Sequence, residues 1–282
     1  MRAAILLSGH FKLYKHLYKN FQEHLLLPIK NARYDIDIYF SSWREITNQN
    51  SFSAKHRADG GNIEYGNFDL NDVLDKYHPK KFFVGEYEEY KHLFNIHKYD
   101  PDLDLNALHK DIHEGETLFN LAQWWHRWKV NQLKQEYEKE NGFKYGLVVS
   151  VRPDFFYLTP FPIEKVDKTK LNLRMLFSDM ILVSNSETND KIDSLFLNIQ
   201  NIIDKYGRNK FEWLEEIYIP EHFLEYYLLD IGIKKEDRKE LGELLGWLFP
   251  RTHDIATLHE ICKKTGNLDK FQYVVDYFKL NG

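Results

Sequence analysis

The chain has 282 residues, 43% hydrophobic and 29% charged, with a formal net charge of −5. That composition fits one large globular domain, or one with an appendage, and without a basic block it argues against duplex nucleic acid as a partner. A lone cysteine, Cys262, excludes a disulfide framework or a cysteine-built zinc site within one chain and points to a reducing compartment.

In chain order, Arg2 to Leu7 reads as a strand that stops at Ser8-Gly9-His10. Its apolar core, Ala3 to Leu7, is too short for a signal peptide or a membrane span, and no later run approaches ~18 apolar residues. The expected location is the cytoplasm, with peripheral contact at the inner face of the plasma membrane compatible with it. Residues 12–30 carry Leu13, Leu17, Phe21 and Leu25 at helical spacing. "YDIDIYF" at 34–40 reads as a second strand, so the chain opens β-α-β, which implies a parallel sheet and a right-handed crossover. Residues 44–68 read as a long polar loop. Residues 69–78 read as a short helix capped by Asp69, 80–87 as a third strand, and 96–115 as a second polar loop. Thr117 to Asn141 has the clearest helical periodicity, with Gly142 in position to end it. The run from Gly146 to Val151 follows at once and reads as a central strand covered on both faces. "LRMLF" and "DMILVS" read as further strands, 187–207 and 219–232 as helices, and the last 45 residues as helical. With no repeat or Pro/Gly linker, one main domain is expected over residues 1–232, with 233–282 as a helical C-terminal appendage packed on it.

Ligands of open α/β sheets sit beyond the carboxyl ends of the strands, and three such ends carry unusual residues. Ser8-Gly9-His10 reads either as an ordinary turn or as a close backbone approach with two hydrogen-bonding side chains. Ser41-Ser42-Trp43 reads either as a packed indole or as a nucleotide or sugar contact. At Arg152-Pro153-Asp154, proline ends the ladder, arginine offers a planar fork for phosphate oxygens, and aspartate is a hard oxygen ligand for Mg²⁺ or Mn²⁺. The same two charges can also simply pair and cap the strand. Asp179 and Glu221 are candidate general bases toward a hydroxyl, or helix and strand-end partners. His253-Asp254 and Trp124, Trp125 and Trp128 read best as surface and core residues respectively. There is no G-x-G-x-x-G, P-loop, H-E-x-x-H or G-x-S-x-G pattern.

Taken in order, "AILLSGHFK", "YDIDIYFSSW", "QLKQEYEKENGFKYGLVVSVRPDFFY" and "FSDMILVSNSETND" resemble bacterial glycosyltransferase-like proteins. Those proteins are associated with capsular polysaccharide or lipopolysaccharide synthesis, and the resemblance covers roughly residues 1 to 230. It implies a GT-A-like, Rossmann-type, mostly parallel sheet flanked by helices, with a nucleotide-sugar donor over the strand ends and a glycan hydroxyl as acceptor. Members usually carry Asp-x-Asp after a central strand, where it binds a divalent metal. The matching triplet here is Arg152-Pro153-Asp154, so an arginine replaces the first carboxylate. By the resemblance, Asp154 would keep a Mn²⁺ or Mg²⁺ or ribose contact and Arg152 would offset diphosphate charge. Ser8, Gly9, His10 and Trp43 would lie at the donor site, and Asp179 and Glu221 would be the catalytic candidates. Two alternatives remain at this stage: a phosphoryl or nucleotidyl transferase, and a non-catalytic nucleotide- or sugar-binding protein of polysaccharide assembly.

Overall fold

A computed structural model describes residues 1–44, 69–101, 114–174, 180–206, 220–242, 247–248, 255–264 and 266–281. The N-terminal part runs β1 (Arg2–Ser8), α1 (Tyr14–Phe21), a π-helical turn (Gln22–Leu26), α2 (Leu27–Asn31), β2 (Asp35–Trp43), α3 (Leu70–Tyr77), β3 (Lys81–Gly85) and α4 (Tyr87–Tyr90). The central part is α5 (Glu114–Asn141), β4 (Leu147–Val151), β5 (Phe156–Tyr157), β6 (Leu171–Leu173), β7 (Ile181–Ser184), α6 (Ser186–Ile192) and α7 (Ile199–Tyr206). It closes with α8 (Pro220–Asp230), β8 (Arg238–Glu240), β9 (Trp247–Leu248), α9 (Ile255–Lys264) and α10 (Phe271–Asn281).

Among the described residues, seven strands form one mixed sheet in the order β3-β2-β1-β4-β7-β6-β8. Neighbours pair parallel except where β7 meets β4 and β6, so the sheet is mostly parallel and flanked by helices. In β1, Ala3, Ile5 and Leu7 pack with residues of α1 to α3, while Ala4 and Leu6 pack under α5. Both faces are covered, which is why β1 and β4 read as unbroken apolar runs. No helix among the described residues is long and apolar enough to cross a membrane.

Three local devices shape the elements. Asp69 caps α3, accepting from the backbone N–H groups of Asn71 and Asp72 at 3.0 and 3.3 Å. Gly142, at φ +68°, closes α5, and the N–H of Phe143 returns to the Glu138 carbonyl at 3.2 Å. The helix expected over 12–30 is interrupted, because Pro28 has no N–H for the carbonyl of His24. That carbonyl accepts instead from the N–H of Phe161 at 2.7 Å, and the turn between α1 and α2 widens to a π-helix.

Buried charges tie α5 to α6. Arg127 pairs with Asp193 at 3.1 Å with both side chains almost wholly buried, and Lys134 reaches Ser186, Glu138 and Asp190.

The C-terminal stretch departs from expectation. It is not helical throughout, because β8 completes the main sheet beside β6 and β9 pairs with β5. Helices α9 and α10 do form, and Leu258, Val274, Tyr277 and Phe278 pack against Leu13 and Leu17 of the α1 region and Phe156 of β5. The strand expected at "LRMLF" begins two residues early, at Leu171, and residues 175–179 lie outside the described residues. Most of the loop expected over 44–68 also lies outside them, as does much of 96–115.

Candidate functional site

From β1 the chain builds outward through β2 to β3, then returns through α5 to place β4 on the other flank of β1. The strand order therefore reverses between β1 and β4, and a crevice for ligands opens at the carboxyl ends of such a pair. Leu7 opposite Val151 is the last rung of the β1–β4 ladder. Ser8-Gly9-His10 and Arg152-Pro153-Asp154 thus leave the sheet next to one another, one triplet on each side of the switch point.

Gly9 holds φ +114°, a conformation that residues with a Cβ rarely adopt, and a Cβ there would meet no atom within 4 Å. Its N–H donates to the Ser41 carbonyl at 3.0 Å, which fixes the turn to the end of β2. The backbone at Gly9 is therefore anchored on one side and open on the other.

Across the switch point, Arg152 grips Asp154 with two hydrogen bonds, Nε to Oδ1 at 2.9 Å and Nη2 to Oδ2 at 2.7 Å. The Asp154 side chain is 7% exposed and that of Arg152 33%. The carboxylate is buried and the arginine side chain is partly exposed. Burial pushes the Asp154 carboxyl up, but the Arg152 guanidinium, with Lys12 and His10, more than offsets this and holds it below its ordinary value. Lys12 belongs to the same electrostatic group, although sequence reasoning had not singled it out. His10 is driven down from 6.5 to about 3, first by burial and then by Lys12 and Arg152, with Asp154 opposing. It is a neutral imidazole at neutral pH.

Beneath the crevice lies a buried polar layer. Ser8 stands directly across from Ser41, and Ser150 shares the α5-facing side of β4 with Val148. His126, from α5, meets the Ser41 hydroxyl through Nδ1 at 2.7 Å. Burial, and then the proximity of His10, hold the His126 pKa well below its ordinary value. Nδ1 of His10, Nε2 of His126 and the Ser150 hydroxyl are buried without a hydrogen-bond partner among the described residues. Buried polar atoms are nearly always paired, so three such orphans in one region mark it as more than packing. His126 and Ser150 were missed in the sequence. The available signals were a histidine on the apolar face of α5 and the single hydroxyl inside "LVVSV".

Trp43 does not line the crevice as expected. It is 2% exposed and stacks on Trp125 with ring centroids 5.0 Å apart and planes 9° apart, with Tyr87, Phe94 and His126 at its edges. Its role is to pack against His126 within the aromatic core, where Trp124 and Trp125 are likewise buried. Glu221 is partly exposed in the first turn of α8, which packs chiefly against α7 and the turn at Leu195–Asn198. Asp179 and His253-Asp254 lie outside the described residues.

The resemblance implies a divalent metal at Asp154. Among the described residues, no group of three or more His, Cys, Asp or Glu side chains is placed to hold one. Both oxygens of Asp154 are engaged by a guanidinium, and Lys12 adds a further positive charge nearby. The described residues at this place do not fit a divalent cation. No family model matches the chain, and no curated protein sequence matches it.

Proposed function

We propose that the chain is a glycosyltransferase of GT-A-like architecture that moves a sugar from a nucleotide-diphosphate sugar to a hydroxyl of a capsule or lipopolysaccharide acceptor. The observation that supports this reading is the Arg152–Asp154 pair, which leaves β4 at the topological switch point while the Gly9 turn leaves the neighbouring end of β1. Sugar transfer expels an anionic nucleoside diphosphate from an oxocarbenium-like sugar. A preorganised cation at the leaving group is worth more in such a sheltered site than in water. Arg152, with Lys12, supplies that charge. Gly9 lets the donor approach the backbone, and Ser8 and the neutral His10 offer hydrogen bonds to sugar or ribose hydroxyls. Asp179 and Glu221 remain the candidates for accepting the acceptor proton. A cytoplasmic protein would meet nucleotide sugars directly, in keeping with this role.

The purified protein should be incubated with a panel of nucleotide sugars and lipid-linked or oligosaccharide acceptors, and the released nucleotide identified. A nucleoside diphosphate, lost in Arg152→Ala, is the expected product. Release of a nucleoside monophosphate or pyrophosphate would instead favour phosphoryl or nucleotidyl transfer. Binding without any turnover would favour a carrier or scaffold.

A further inference from the structure

We draw no further inference here: the strongest candidate, the buried polar layer of Ser41, His126 and Ser150 between α5 and the carboxyl ends of the strands, belongs to the site already described, and nothing in the structure shows what would sit against the buried Nε2 of His126 and hydroxyl of Ser150.

Discussion

At the residue scale, the end of β1 turns on Gly9 and lies near two imidazoles that burial keeps neutral. Gly9→Ala puts a Cβ on a backbone at φ +114° where space is open, so the cost is conformational rather than steric. It should lower stability by about 1–3 kcal/mol, read as a shift in urea midpoint at constant slope. The histidines predict a pH dependence. Unfolded, His10 titrates near 6.5, and folded near 3. The unfolded chain therefore binds the proton more readily, and the stability gained by keeping His10 neutral is complete above pH 6.5 and lost as pH falls toward 3. Asp154 acts in the same direction, since its depressed carboxyl gives up its contribution as pH falls through the folded pKa. His10→Gln should flatten the fall in unfolding free energy across that acid window; a curve superimposable on the parent's would show that His10 is not buried as described. Of the two readings open for Arg152 and Asp154 in the sequence, the structure shows the mutual pair at the end of the strand. Trp43 was misassigned because position at a strand end does not reveal which way a ring packs.

At the scale of elements, the connections that matter are side chains acting as backbone. Asn20 of α1 behaves as one rung of a strand: its Oδ1 accepts from the Tyr157 N–H at 2.7 Å and its Nδ2 donates to the Tyr157 carbonyl at 2.9 Å. Asn20→Ala strands both groups and should cost about 2–4 kcal/mol in chemical denaturation; a loss under about 1 kcal/mol would mean that water reaches the break. The buried pair joining α5 to α6 makes a second case. Asp193→Ala removes the buried carboxylate beside Arg127, and should cost about 3–5 kcal/mol in the same measurement. Strong periodicity and punctuation made α5, β1, β4 and the Asp69 cap legible. The π-turn was not, because a proline in a helical pattern shows where a bond is missing without showing that Phe161, over a hundred residues away, will take the freed carbonyl. Nor were β8 and β9 legible. Two- and three-residue strands have too short a pattern to carry period, and both exist only because an edge was waiting for them.

At the scale of the molecule, the C-terminal region is built into the main body of the fold. β8 completes one edge of the sheet, and the Tyr277 hydroxyl donates to the His16 carbonyl at 2.7 Å and accepts from the Asn20 N–H at 2.8 Å. A truncation at residue 232 would expose Leu13, Leu17, Phe156 and Leu158 and leave β6 unpaired on one side. It is expected to aggregate on expression or to melt without a cooperative transition, whereas a soluble, two-state fragment would establish 233–282 as a separate appendage. The α/β class was legible from the alternation of apolar runs and helical periods. The switch point was not, because strand order is set by crossovers that sequence pattern does not record.

The stacked indoles of Trp43 and Trp125 have an optical consequence. Two nearly parallel chromophores with centres 5.0 Å apart share their electronic excitation, so the pair should give a split near-ultraviolet circular dichroism band absent from either single Trp→Phe variant. His126 sits 4.3 Å from one of those rings and also bonds the Ser41 hydroxyl beneath the crevice. A change at the Ser41 end of this chain of contacts is therefore expected to reach the indole pair, and Ser41→Ala should alter the same band.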